Sequence, residues 1–228
     1  MSDIFEYYKQ TYYHKNAIKR YAHQTRVRVA ISLLAPLAQK TKVLDFGCGK
    51  GYFVHQLKDK INCDIIGYDK YLKSESPLVT NDEDIVSKSN YYDVITCFET
   101  LEHCHEETRD KILDKIHSLL KTNGKLLVSV PIEIGPISIF KNLFRFKNAL
   151  AKHSEFNLKN IIKCAFYNPP KDFRKSQPYP GHFGWDHRDL EKILKNLEGF
   201  TYSKKSYSPF SIPSIWINSQ VFYLLKKK

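Results

Sequence analysis

Short apolar runs alternate along the chain with longer stretches whose apolar residues recur every three or four positions. From Ala22 to Ala38, Val27, Ala30, Ile31, Leu34 and Leu37 fall at helical spacing and predict an amphipathic helix. Val43 to Phe46 is a short buried strand, and Gly51 to Leu57 opens the next helix. "CDIIGYDK" predicts a second strand ending at Asp69, and "YDVITCFE" a central strand ending near Phe98. Glu106 to Leu120 is helical, with Ile112, Leu113, Ile116 and Leu120 on one face, and Asn123-Gly124 is expected to stop it. "KLLVSVP" then predicts a further buried strand.

Apolar strands alternating with helices imply an α/β fold, a mostly parallel sheet covered on both faces. Little room lies between Asp69 and Asp93, so the third-strand region must be abbreviated, with "PLVT" as the strand. The rhythm returns at the tail: Asp189 to Leu197 as helix, then "GFTYSKKSYS" and "SQVFYLLKK" as the last strands. With 228 residues the chain fits one domain. Residues 1–40 would hold N-terminal helices, 41–133 the core, 134–180 an insertion, and 181–228 the closing helix and strands.

The formal net charge is +12, which suits an anionic partner or simply a solvated lysine-rich surface. The insertion concentrates that charge. It carries Lys141, Arg145, Lys147, Lys152, Lys159, Lys163, Lys171, Arg174 and Lys175 against Glu155 and Asp172, nine minus two, or +7. An insertion of this length in a compact domain serves as a lid or binding loop. No run of about 18 apolar residues is present, so no membrane span is expected. The first residues lack a signal-peptide pattern, and the five cysteines form no C-x-x-C pair. Both features fit a cytoplasmic protein without a disulfide framework.

"KVLDFGCGKGYF" carries the first chemistry. Gly47 and Gly49 fit a dinucleotide turn, but Tyr52 stands where its third small residue belongs, and no G-K-[ST] follows for a P-loop. Asp45 would oppose a pyrophosphate and attract a cation. S-adenosylmethionine (SAM) has that character, with a sulfonium, an ammonium and no phosphate. Asp69, 18 residues past Gly51, is spaced to accept the ribose hydroxyls.

With these residues the chain resembles the class I SAM-dependent methyltransferases, from about Tyr7 to Leu225 and least in the insertion. The resemblance implies a Rossmann-like, seven-stranded sheet whose last strand is antiparallel. It further implies that Asp45, Gly47, Cys48 and Gly49 form the methionine-binding loop and that Asp69 is the ribose acid. Asp82, with Glu83 beside it, would contact adenine, and Phe98 would line the pocket. Arg26 or Arg28 would reach the methionine carboxylate.

"DVITCFETLEHCHEE" places Glu99, Glu102 and His103 after the central strand, in the substrate crevice of an open sheet. Their oxygen and nitrogen donors suit a divalent metal such as magnesium, and the two acids equally suit the start of the next helix. The stretch is similar to that of ubiquinone-pathway O-methyltransferases, and Glu-x-x-Glu-His also resembles the small-RNA terminal 2′-O-methyltransferases; both groups are understood to use a divalent metal there. In "GHFGWDHRDLEKIL", His182 is expected to enter the site as general base or further metal ligand, with His103 the other candidate base. "PISIFKNLFRFKNAL" predicts a basic amphipathic helix over 137–148, read as a lid with Phe140 and Phe144 on its covering face and Lys141, Asn142 and Arg145 on its outer one.

The expected activity is O-methylation of a small-molecule, lipid-linked or saccharide-linked acceptor, with peripheral membrane contact as an option. The alternatives are an RNA 2′-O-methyltransferase using the basic surface, or a non-catalytic SAM-binding regulator.

Overall fold

The computed structural model describes residues 8–9, 12–136, 138–139, 141–142, 157–170 and 181–228. Seven strands form one sheet in the order β3-β2-β1-β4-β5-β7-β6. They are β1 (Lys42–Phe46), β2 (Asp64–Tyr68), β3 (Val79–Thr80), β4 (Tyr92–Phe98), β5 (Leu120–Pro131), β6 (Phe200–Ser208) and β7 (Gln220–Lys227). The first five run parallel, and β7 lies antiparallel between β5 and β6. The third strand is two residues long, the abbreviation that the short Asp69–Asp93 interval predicts.

The described helices are α1 (Ala17–Leu34), α2 (Tyr52–Lys60), α3 (Glu83–Val86), α4 (Glu106–Leu119), α5 (Leu158–Ala165) and α6 (His187–Lys195). Strand alternation sends neighbouring residues to opposite faces, which builds two cores. Val43, Val94, Leu127 and Phe222 pack under α1 and α2 with Ala30, Leu34, Val54 and Leu57. Leu44, Ile95, Val128 and Tyr223 pack under α4 and α6 with Leu113, Ile116, Leu190 and Leu194. Burying both faces is why the parallel strands read as nearly continuous apolar runs.

One boundary differs from the sequence expectation. Helix α4 ends at Leu119, and Leu120 is already paired with Tyr92 in the sheet. Asn123-Gly124 instead turns the chain inside β5, where the register shifts between Tyr92 and Val94. The ammonium of Lys227 stops the helix early: it donates to His117 O at 2.7 Å, Leu120 O at 2.8 Å and Asn90 Oδ1 at 3.1 Å. A cation at a helix C-terminus satisfies carbonyls that have no intrahelical partner. That anchor lies more than 100 residues away along the chain, beyond the reach of local pattern.

The topology also fixes where ligands meet the molecule. β1, β4 and β5 end on one edge, and so do the end of β6 and the start of β7, since Ser208 and Pro131 both face Gln220. Replacing Lys227 by Met should leave its buried acceptors unsatisfied and lower unfolding stability by about 2 kcal/mol or more. Urea denaturation measures this, and a midpoint within error of wild type would show that Lys227 does not hold the end of α4.

Candidate active site

The site begins where β1 stops. Asp45 is 2 % exposed and accepts a 2.6 Å hydrogen bond from Thr96 Oγ1 on β4. Burial pushes its pKa up to about 7, against the pull of the Thr96 hydroxyl and with a smaller upward push from Asp69. The turn beyond depends on glycine. Gly47 has φ +80°, and a Cβ there would lie 2.2 Å from Thr100 Oγ1. Gly51, at φ +85°, caps α2, and its Cβ would meet Val79 at 2.5 Å. Only a residue without a side chain holds these angles and contacts cheaply.

The amides of Gly47 and Cys48 donate to Tyr68 O, tying the turn to the end of β2. Asp69 completes the tie. Its Oδ2 accepts from Gly49 N at 2.9 Å, and its Oδ1 accepts from Tyr71 N and Leu72 N at 3.0 and 2.9 Å. The Cys48 thiol is pushed up by burial and by both acids, which makes it a packing group rather than a nucleophile.

A cavity of about 880 Å³ opens above this floor. Asp45, Gly47, Cys48, Gly49, Asp69, Glu83, Phe98, Glu99 and His103 line it, as does Arg26. Its size falls within the range of about 300–1,000 Å³ for small-molecule sites. Asp82 does not line the cavity: it is the exposed N-cap of α3, accepting from Asp84 N at 3.0 Å. Its neighbour Glu83 lines the wall and pairs with Lys115 at 3.1 Å. Phe98 packs edge-on against Phe53, 4.8 Å between centroids. Arg28 turns away to Thr25.

Three expected metal donors part company. Glu99 Oε2 takes Arg26 at 2.7 Å, and its Oε1 accepts from Gln220 Nε2 at 2.6 Å, itself 2.9 Å from Ser129 Oγ. Glu99 is thereby a structural tie between α1, β4 and β7. Glu102 is 1 % exposed and turns the other way, with its Oε1 3.5 Å from His182 Nδ1 and 3.8 Å from His103 Nε2. The two imidazoles meet edge to face at 4.8 Å. Glu102, His103 and His182 each offer a donor atom within 4.8 Å of the others. His182 enters from the far end of the insertion because its successors are anchored: Phe183 is buried, Trp185 packs on the core, and Asp186 caps α6 and pairs with Arg188. His187 is buried at the helix start, and burial lowers its pKa to about 4.

Most of the expected lid helix, Phe140 and Phe144 included, lies outside the described residues. Its described part corrects the outer-face assignment. Asn142 is buried, and Lys141 points inward, donating to Ile132 O at 2.6 Å and to Glu133 Oε1 and Ser219 O at 3.2 Å. Three oxygens at the junction of β5 and β7 compete successfully with water for this ammonium. Gln220, Ser129 and Glu133 escaped the sequence reading, and the only signal was a polar residue inside or beside an apolar strand.

Asp45 gives a pH test. The folded protein keeps its proton up to about pH 7, whereas the unfolded chain releases it near 3.8. Between these values the native state binds more protons, so this group's contribution is largest below the unfolded value of 3.8 and is lost as pH rises to about 7. The melting temperature of wild type minus that of Asp45→Asn should therefore fall between about pH 4 and about pH 7 and level off above that. A flat difference would remove the raised pKa.

A model of the methyltransferase-domain family matches residues 16–163, well over half of the chain. No curated protein matches the sequence. Among solved structures, the chain is similar to magnesium protoporphyrin IX methyltransferase from Synechocystis PCC 6803, solved with S-adenosylhomocysteine bound. The TM-score is 0.59 at 14% identity, covering 98% of this chain and 94% of that one. It is also similar to the 1,6-didemethyltoxoflavin-N1-methyltransferase of Burkholderia thailandensis, with TM-score 0.58 at 16% identity, covering 100% and 86%. Such identities speak for the fold, and the family match for the chemistry. The chain belongs to the class I SAM-dependent methyltransferases.

Proposed function

We propose that this protein transfers the SAM methyl group to a hydroxyl of a partly apolar small-molecule, lipid-linked or saccharide-linked acceptor. The carrying observation is the buried Glu102 carboxylate facing two imidazoles, one of which, His103, lines the same cavity as the glycine turn.

In this reading the methionine end of SAM lies on Gly47–Gly49, its ammonium attracted by Asp45 once that acid has released its proton. Asp69 has about four acceptor positions, and three are taken by backbone amides. The fourth serves a ribose hydroxyl. Glu83 stands closer to an adenine contact than Asp82 does, because Glu83 lines the cavity. Val27, Phe53, Phe98 and Ile112 give the cavity apolar wall for the acceptor.

Methyl transfer is an in-line displacement: the acceptor oxygen bonds to the methyl carbon as the carbon–sulfur bond breaks, leaving a neutral thioether. Alignment supplies most of the rate. The hydroxyl proton must also leave. His182 turns Nδ1 toward Glu102, so Nε2 is the nitrogen that takes it, and Glu102 stabilises the imidazolium. His103 is the second candidate base.

The same three side chains would suit a divalent cation. One carboxylate and two imidazoles fit manganese, iron or zinc better than magnesium, which prefers oxygen donors. Such an ion would polarise the acceptor oxygen, with Glu102, His103 and His182 as its holders and Glu99 committed elsewhere.

The acceptor is sought by incubating the protein with methyl-labelled SAM and cell extract split into lipid, small-molecule and RNA fractions. Label in the lipid or small-molecule fraction is expected, and label in RNA alone would transfer the reading to the basic surface. On the labelled acceptor, His182→Ala should lower kcat by about 10²–10⁴-fold with little change in SAM affinity. An unchanged kcat would exclude His182 as base. Exhaustive chelation decides the metal: lost turnover restored by manganese or zinc supports the cation site, and full turnover leaves the histidines as bases.

A further inference from the structure

The carboxyl edge of the sheet carries a second feature. The segment 209–219, joining β6 to β7, contains no charged residue, and Phe210, Ile212, Trp216 and Ile217 stand exposed on it, Trp216 at 63 %. Nearby, α5 buries Ile161, Cys164 and Ala165 but exposes Leu158 and Ile162, and its C-cap residue Phe166 is exposed at 77 %. These two short segments hold seven of the thirteen large exposed apolar side chains among the described residues. Both are tied to the chain just past β5: Ile132 N donates to Ser219 O, and Gly135 N donates to Cys164 O. An exposed apolar concentration of this kind marks an interaction surface.

The loop is built to present these side chains. Asn218 is fully buried; its Oδ1 accepts from Phe210 N at 2.8 Å, and its Nδ2 donates to Ile212 O at 2.9 Å and Ser214 O at 2.8 Å. Ile215 packs on the core beneath. One buried amide thus folds the segment with its apolar side chains outward, where water makes them unfavourable.

We infer that segment 209–219 and the outer face of α5 form a docking surface for an anionic membrane. Exposed Lys159 and Lys163 flank Leu158, Ile162 and Phe166 on α5 and its C-cap, the arrangement in which apolar side chains enter the headgroup boundary while lysines reach anionic lipid. A second copy of the chain is a poor occupant, because each copy brings a net charge of +12. RNA is a poor occupant of 209–219, which offers phosphates no cation. No described helix is long and apolar enough to cross a membrane, so the contact is peripheral. The surface rises on the edge that holds the cavity, and Gln220, directly after the loop, bonds Glu99 on the cavity wall. Docking there would bring the cavity to a bilayer-embedded acceptor, a consequence that rests on the methyl-transfer reading above.

Flotation with vesicles of phosphatidylcholine alone, and with about 30 % phosphatidylglycerol, tests the surface without any cofactor. Wild type should float with the anionic vesicles and far less with the neutral ones. The double change Ile212→Ser, Trp216→Ser and the double change Lys159→Glu, Lys163→Glu should each cut binding by about tenfold or more. Both sets lie on the surface, so melting temperature and S-adenosylhomocysteine affinity should stay at wild-type values. Wild type remaining unbound, or the Ile212/Trp216 variant binding normally, overturns the proposal. So does a dimer in sedimentation velocity, or retention on RNA, that this variant abolishes. Vesicle binding without methyl transfer to any lipid would leave the surface standing and defeat only the catalytic reading.

Discussion

The carboxyl edge of this protein is organised by one side chain, Glu99. It follows the central strand in a left-handed backbone conformation, φ +51°, that costs a non-glycine residue about 1 kcal/mol or more. The surroundings over-determine it. Its amide donates to Ser129 O, and its carboxylate takes Arg26 from α1 and Gln220 from β7. Burial pushes the carboxyl up while Arg26 and Lys141 hold it down, so the acid depends on these cations. The N-terminal helix, the central strand and the last strand therefore meet at one group.

Two consequences follow from that knot. Thr100, one residue on, is set against Gly47, which fixes the distance between the glycine turn and the segment after β4. The short 3₁₀ turn Leu101–His103 then carries Glu102 into the interior and His103 onto the cavity wall. The cavity acquires two chemically different ends: an acidic floor of Asp45 and Asp69 that favours a cationic cofactor, and a wall at His103, behind which Glu102 and His182 lie.

Much of this was legible in the sequence, for physical reasons. Strands buried on both faces must be apolar runs, and a ligand-cradling turn must use glycines where side chains would collide, so β1, β2, β4, β5 and the Gly47–Gly51 turn announce themselves. The shortened β3 followed from chain length alone. Long-range pairings were not legible. Glu99 looked like a metal donor because its partners, Arg26 and Gln220, lie 73 and 121 residues away. Lys141 looked solvated because helical spacing cannot show the three oxygens that receive it. Asp82 and Glu83 were indistinguishable until the single-turn α3 made one a cap and the other a wall.

Catalysis as proposed needs the cofactor on the glycine floor with its sulfur facing His103, the member of the Glu102–His103–His182 group that lines the cavity. Diffraction from crystals grown with S-adenosylhomocysteine measures that placement directly. The expected result is a ribose hydroxyl in hydrogen-bond contact with Asp69, the methionine moiety along Gly47–Gly49, and the sulfur facing the side of the cavity that His103 lines. A ribose bound away from Asp69, or a sulfur turned from His103, would contradict it.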